Sequence, residues 1–169
     1  MRHLALLIAF CLITPGLAQA QPHLLVGAGV TSPSGDIADL ADTGFHIQAG
    51  FKVSIPSTPV SLQADGGYHT MSGSDATADD TKVLAGALSV VYSLGGIGLS
   101  PYLLGGVGRY RIESGLVGMT ETRTDSGYHA GFGVSLGSLG FGGFAEIRYV
   151  HVNGDTTTKL IPVTLGLRF

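Results

Sequence analysis

The sequence predicts an all-β protein, an eight-stranded antiparallel up-and-down barrel whose strands cross a membrane. The composition is the first observation: 44% of the 169 residues are apolar and 12% are charged, against about 25% charged residues in a soluble domain. The second is an alternation of apolar and polar residues in segments of roughly 10–13 residues, the length that a tilted strand needs to cross a bilayer. The third is the spacing of these segments, because long and short connections alternate along the chain.

The composition also excludes other classes of protein. Nine Lys and Arg residues stand against twelve Asp and Glu residues, so the chain lacks the basic face of a nucleic-acid-binding protein. A mean hydropathy of +0.36 argues against intrinsic disorder. Only Leu4–Ile13 forms a sustained apolar run, which is too short for a membrane-spanning helix. We therefore expect no nucleic-acid partner and no helical membrane span.

The first twenty residues predict a secretory signal peptide. A short basic start, Met1–His3, precedes the apolar run, and Ala18-Gln19-Ala20 fits the small-x-small rule for cleavage. We expect cleavage after Ala20, which leaves residues 21–169 as the barrel domain; an uncleaved N-terminal anchor is the alternative. The single cysteine, Cys11, lies inside the apolar run, so the mature chain would be exported without a disulfide.

Alternation is cleanest between Gly44 and Ile55, where Phe45, Ile47 and the apolar residues that follow at every second position share one face. The segment 60–70 repeats the pattern after the turn Pro56–Pro59, which is rich in strand breakers. Glycines inside several segments indicate the close backbone approach and curvature of a narrow barrel. The predicted strands are 22–31, 44–55, 60–70, 82–92, 100–112, 126–137, 141–152 and 158–169.

The connections predict which end of the barrel faces outward. Outer-membrane barrels have short periplasmic turns and longer extracellular loops, and ten of the twelve acidic residues fall in the longer connections. We therefore expect acidic extracellular loops. The longer connections are Ser32–Thr43, Met71–Thr81, Glu113–Asp125 and Asn153–Thr157, and the short ones are Pro56–Pro59, Ser93–Leu99 and Ser138–Gly140.

Aromatic residues on the apolar face cluster near the strand ends, as they do at the two lipid–water interfaces of a membrane barrel. The alternative is that aromatic residues simply favour strands. The expected girdle at the short-turn end contains Tyr92, Tyr102, Phe141 and Phe169, and the one at the long-loop end contains Phe45, Tyr68, Tyr110, Tyr128 and Tyr149.

The last predicted strand places alternate apolar residues on one face and ends on Phe169. Together with Pro101–Gly108 and Glu146–Tyr149, this strand resembles the small eight-stranded outer-membrane barrels, the group of the opacity proteins, the OmpX-like proteins and the transmembrane domain of OmpA. The resemblance covers residues 21–169 and implies a porin-like or OmpA-like protein of a Gram-negative outer membrane. It also implies that the barrel-assembly machinery reads the last strand, with Phe169 as the assembly signal.

The polar face should line the lumen, which in an eight-stranded barrel is just wide enough to be filled by side chains. We expect a polar network there, because buried charges must be paired or solvated. A structural plug of ion pairs is the preferred interpretation, and a narrow, slightly anion-favouring pore is the alternative. The proposed lumen residues are Lys52, Asp65, Arg109, Arg111, Glu146 and Arg148, with His46, His69, His129 and Arg168 on the same face.

Enzymatic, metal-binding and soluble alternatives have less support. Some eight-stranded barrels are lipid A deacylases whose serine nucleophile follows a histidine by two residues, but here Asn153 stands at that distance from His151, and an amide is not a nucleophile. The five histidines of the mature chain lack the short spacings of a zinc site. A soluble lipocalin-like barrel would reverse the two faces. We expect no catalytic residue, no metal and no cofactor.

The sequence therefore predicts an integral outer-membrane barrel with a non-enzymatic structural or surface-interaction role. Its expected partners are outer-membrane lipid and lipopolysaccharide, the assembly machinery, and a surface ligand of unknown identity that binds the long loops.

Overall fold

The computed structural model describes residues 22–35, 42–73, 80–96, 98–116, 119–137, 141–154 and 158–169. The predicted signal peptide and its cleavage site lie outside these residues. About half of each predicted loop 32–43 and 71–81 also lies outside them, as do the predicted turn 138–140 and most of the connection 153–157. Within the described ranges, no helix has the length and hydropathy needed to span a bilayer.

Eight strands follow one another around a closed antiparallel barrel, in which each strand pairs with its neighbours in sequence and the last pairs with the first. The predicted fold class is confirmed. Most strand ends lie within one or two residues of their predicted positions. The strands are β1 (Pro22–Gly35), β2 (Gly44–Ser54), β3 (Val60–Met71), β4 (Thr81–Ser93), β5 (Leu99–Leu116), β6 (Met119–Gly137), β7 (Gly142–Asn153) and β8 (Thr158–Arg168).

The prediction of a loop over Glu113–Asp125 is wrong for most of that segment, because β5 and β6 continue into it and pair with each other. Their register runs to Leu116↔Met119. The polar composition of this segment suggested a loop, but threonines recur at every second position from Thr120 to Thr124, and β-branched residues favour strands. Three acidic residues expected in a loop therefore lie on strands.

The two faces of the barrel wall follow the predicted alternation. On β2, Phe45, Ile47 and Phe51 are 60–72% exposed, whereas His46 and Gly50 between them are buried. Large apolar side chains thus cover the outside, as lipid-facing positions require. The inside is crowded: a Cβ atom added to Gly133 would lie 2.3 Å from Cζ of Tyr102, so this glycine makes room for a ring that crosses the lumen.

The predicted faces of β5 are reversed. Tyr102 and Tyr110, expected in the two girdles, are buried in the lumen, and Arg109 and Arg111, expected in the lumen, are exposed on the outer wall. Both faces of this strand consist largely of apolar residues and glycine. The two arginines therefore determined which face was predicted to line the lumen. A shift of one residue exchanges the two faces. The tyrosine rings fill space that the neighbouring glycines leave empty.

Candidate functional site

The candidate functional site is the polar centre of the lumen, where Arg148 on β7 holds two carboxylates. Its guanidinium donates to Oδ1 of Asp65 across the barrel at 2.8 Å, and its Nε donates to Glu146 on the same strand. Gln63 donates a hydrogen bond to Asp65 as well. All three charged side chains are at most 8% exposed. Charges removed from water in this way need such pairing.

Tyr102 and Lys52 extend this network toward the short-turn end. The Tyr102 hydroxyl donates to Oε2 of Glu146 at 2.8 Å, and Nζ of Lys52 lies 5.0 Å from the centre of the Tyr102 ring. Arg168 lines the same region, where the remaining cavity measures about 10 Å³. A cavity of that size holds about one water molecule at most, so the side chains pack closely in this part of the lumen.

Histidines and hydroxyl groups form a second part of the polar centre. The rings of His46 and His69 stack with their centres 5.0 Å apart, and Oγ1 of Thr31 lies within 2.9 Å of both Nδ1 atoms. Nε2 of His46 is 2.8 Å from Oγ1 of Thr164. Within the described part of the chain, no three His, Cys, Asp or Glu side chains form a group that could hold a metal ion.

Ser89 and His129 form a further hydroxyl–histidine contact, which resembles a nucleophile and its base. Oγ of Ser89 lies 2.8 Å from Nε2 of His129, which is the distance that such a pair requires. However, Nδ1 of His129 has no hydrogen-bond partner among the described residues, so no carboxylate orients the ring. Both residues are also buried inside the barrel, where a lipid substrate has no access.

An apolar layer closes the lumen on the long-loop side of the polar centre. We call it the luminal apolar plug. Sequence reasoning missed it, because apolar residues were assigned to the outer face; the available signal was that the long-loop ends of several strands are apolar on both faces. The plug consists of Met71, Val83, Tyr110, Ile112, Val150, Val152 and Leu160, each at most 5% exposed.

The structure thus brings together four of the six predicted lumen residues, Lys52, Asp65, Glu146 and Arg148. It does not bring Arg109 and Arg111 to them, since both point outward. Arg111 forms an ion pair with Glu113 at 3.0 Å on the outer wall. Their predicted place in the lumen network was wrong for the reason given for β5.

Phe169 lies at the seam between the last and the first strand. Its backbone N–H and C=O both form hydrogen bonds of 2.9 Å with Leu24, and its ring lies 5.5 Å from that of Phe141. Without Tyr102 and Tyr110, seven of the nine exposed aromatic residues in the described ranges form two groups near the strand ends, whereas Phe51 and Phe132 lie further inside their strands. The two groups are Tyr92, Phe141 and Phe169 at the short-turn end, and Phe45, Tyr68, Tyr128 and Tyr149 at the long-loop end.

A family model described as "Outer membrane protein beta-barrel domain" matches residues 4–169. The chain belongs to this family. The match covers nearly the whole sequence and agrees with the closed eight-stranded barrel and its apolar exterior. The chain is therefore an outer-membrane barrel protein of the Gram-negative type.

Solved structures with the same fold include Neisserial surface protein A, at 19% identity and a TM-score of 0.74, with 88% of this chain and 97% of that chain covered. A major outer membrane protein of Thermus thermophilus has 12% identity and a TM-score of 0.66, with 89% and 98% covered. Ail, the attachment invasion locus protein of Yersinia pestis, has 15% identity and a TM-score of 0.60, with 88% and 97% covered. A comparison with curated proteins found no significant match.

Proposed function

We propose that this outer-membrane protein is a closed, non-enzymatic barrel that presents the extracellular end of β5 and β6 to partners at the cell surface. The observation that carries the proposal is the protruding hairpin. β5 pairs with β4 only as far as Glu113, and β6 pairs with β7 only from Ser126. Among the described residues, 114–116 and 119–121 therefore pair only with each other, and residues 122–125 pair with β5 alone. We call residues 114–116 and 119–125 the protruding hairpin.

Within the described ranges, neither edge of the protruding hairpin has a neighbouring strand, so both edges carry unpaired backbone groups. Such edges bind extended peptide segments by adding a strand to the sheet. Arg123 anchors the hairpin base, because it donates to Oγ1 of Thr158 at the start of β8 and forms an ion pair with Asp125 at 3.4 Å. The hairpin is thereby held in a defined position over the barrel mouth.

A protein with a similar fold supports a binding role at the cell surface. The Yersinia pestis protein Ail is described as an attachment invasion locus protein and has been solved in complex with the heparin analogue sucrose octasulfate. We therefore propose attachment to a surface ligand as the role of the present protein.

The test is to replace residues 114–121 with an Asn-Gly turn and to measure adhesion of bacteria that express the variant. We expect adhesion to fall to the level of cells without the protein, while the shortened barrel remains folded and heat-modifiable on gels. A control variant with the periplasmic turn residue Thr58→Ala should adhere normally. Unchanged adhesion of the shortened variant would remove the hairpin from the proposed function.

The alternative function of a narrow pore can be tested independently. The luminal apolar plug and the neutral Arg148 network support a closed lumen, so the purified barrel should show no steady conductance in a planar bilayer. The double variant Tyr110→Ala and Ile112→Ala removes two side chains of the plug. It should conduct ions and is the positive control. Steady conductance by the unmodified protein at all voltages would favour the pore.

Lipid A modification is the remaining alternative. We propose that the protein does not modify lipid A. His151 stacks on Tyr128 on the outer wall, with ring centres 4.9 Å apart, and the position two residues after it, where a deacylase has its serine, is Asn153. Mass analysis of lipid A from cells with and without the protein should give identical acylation patterns.

A further inference from the structure

The outer wall carries a groove of about 900 Å³ that neither the lumen nor the hairpin explains. Its floor follows one line of paired residues across neighbouring strands: Ala49↔Gly66, Gly66↔Gly86 and Gly86↔Arg109. Beyond Arg109 the line continues through Ser126 to Asn153. The floor is thus built from small apolar residues at one end and from polar residues at the other.

Larger side chains form the periplasmic wall of this groove. Phe51, Leu88 and Val107 lie there, each of them 60–64% exposed on the outer face. An added Cβ atom at Gly86 would have no heavy atom within 4 Å, and one at Gly66 would meet only a carbonyl oxygen at 3.6 Å. The floor is therefore accessible to a molecule that lies against the outer wall of the barrel.

The groove rises toward the extracellular end as it crosses the strands. Gly66 lies five residues before the end of β3, whereas Asn153 is the last residue of β7. Five residues correspond to roughly 17 Å of strand, or about 13 Å along the membrane normal after tilt. One leaflet of the hydrocarbon core is about 15 Å thick, so the groove spans about the depth of an outer-leaflet acyl chain.

Cationic side chains lie at the middle of the groove and on its extracellular side. Arg109 lines the groove. Arg111 follows two residues later on the same outer face of β5, and Lys82 stands opposite Glu113 on the outer faces of β4 and β5. Arg111 pairs with Glu113; among the described residues, no carboxylate pairs with Arg109. An arginine on the lipid-facing wall is costly unless it lies near the interface and meets an anion there, and it binds phosphate through paired hydrogen bonds.

We infer that this groove binds one molecule of lipid A, the phosphorylated acyl glycolipid of the outer leaflet. An acyl chain would lie on the Ala49–Gly66–Gly86 floor, and a phosphate would bind Arg109 and Arg111. The inference goes beyond the proposed surface role, since the site lies on the lipid-facing wall, and it rests only on the outer-membrane location.

The experiment uses the barrel purified from outer membranes, exchanged into mild detergent and titrated with lipid A, with bound lipid counted by native mass spectrometry. We expect one tight lipid A per barrel. Arg109→Gln and Arg111→Gln should each weaken binding by about tenfold, the equivalent of one lost charge-assisted hydrogen bond. Lys159→Gln removes an outward cation from β8 and is the matched control that should bind normally.

Filling the groove is an independent test. Gly86→Leu places a side chain on the floor without a clash and should weaken lipid A binding by a similar factor. Gly105→Leu is the control, because Gly105 faces outward from a second groove that no cation lines. Heat-modifiability on gels would verify that every variant is folded.

Three results would overturn the inference. Equal binding by the arginine variants and the unmodified barrel would remove the phosphate contact. Equal binding by Gly86→Leu would remove the groove as the acyl site. Phosphatidylglycerol or dephosphorylated lipid A binding as tightly as lipid A would show that the site has no preference for a phosphorylated glycolipid. None of these results bears on adhesion by the hairpin.

Discussion

Arg148 is the residue on which the polar centre depends, because it alone contacts both buried carboxylates. Asp65 approaches it from β3 and Glu146 from its own strand, and neither carboxylate is more than 8% exposed. Removal of a single partner from a buried ion pair leaves an uncompensated charge, which costs far more than the pair contributes.

We expect Arg148→Met to lower the free energy of unfolding by about 3–5 kcal/mol. The measurement is urea unfolding of the barrel in lipid vesicles, in which the folded fraction is monitored by its heat-dependent migration on gels. Arg111→Met removes an arginine from an exposed ion pair and should cost about 0–1 kcal/mol. Adding Asp65→Asn and Glu146→Gln to Arg148→Met should restore much of the loss; no restoration would show that side-chain packing, not charge, accounts for it.

Gly133 provides a steric test at the same scale. A methyl group there would overlap the Tyr102 ring, so Gly133→Ala should destabilise the barrel by about 1–3 kcal/mol, the usual cost of overpacking. The identical change at Gly86, where a methyl group points into open space, is the control and should have little effect. Equal stability of the two variants in urea would contradict the observed position of the Tyr102 ring.

Among the strands, β5 and β6 differ most from the sequence prediction, in length and, for β5, in orientation. Where apolar and polar residues alternate strictly, as in β2, the sequence alone determined the outward face. β5 has no such contrast, because Tyr102 and Leu104 alternate with Leu103 and Gly105. The correct face depends on the lumen volume available for tyrosine rings, and that is a property of the neighbouring strands.

The lumen network was predictable only in part for the same reason. Asp65, Glu146 and Arg148 interrupt otherwise apolar or small segments, so their inward placement followed from alternation. Which of them contact one another depends on the stagger of the strands, and a single sequence does not encode that stagger in a readable form. The luminal apolar plug was not predictable by a rule that assigns apolar side chains to lipid.

The protruding hairpin should be the least protected part of the described sheet. Backbone amides of residues 119–125 have one neighbouring strand, whereas those of residues 127–136 have two. We expect hydrogen exchange at residues 119–125 to be at least about tenfold faster, since amides at solvent-exposed, singly paired edges open locally. Mass spectrometry of peptides from the barrel in micelles would measure this, and equal protection of both segments would show that the hairpin edges are covered.

Considered as a whole molecule, the barrel has three layers along its axis: the luminal apolar plug, the charged centre, and a base of Val91, Tyr102 and Leu104. The outer wall has a separate organisation, with large apolar side chains along most strands and cations toward the long-loop end of β4 and β5. The two surfaces alternate residue by residue on the same strands, so the lipid-facing wall can change without altering the lumen.

We expect the purified protein to run in the outer-membrane fraction and to change its migration on gels when boiled, as a closed barrel does when it unfolds. The same fractionation would test cleavage after Ala20, because the N-terminal sequence of the outer-membrane form should begin at Gln21. A form that retains Met1 in that fraction would instead support the N-terminal anchor.

The pairing of β1 with β8 has a consequence for how the chain could be rearranged. Its register extends from Leu25↔Arg168 to Gly35↔Thr158, which is as long as the pairing between other neighbouring strands. The seam between the first and the last strand is thus not a weak point of the ring. A circular permutant that joins Phe169 to Pro22 by a short linker and opens the chain within Pro56–Pro59 should form the same heat-modifiable barrel when it is refolded in detergent, where no assembly machinery has to read the last strand.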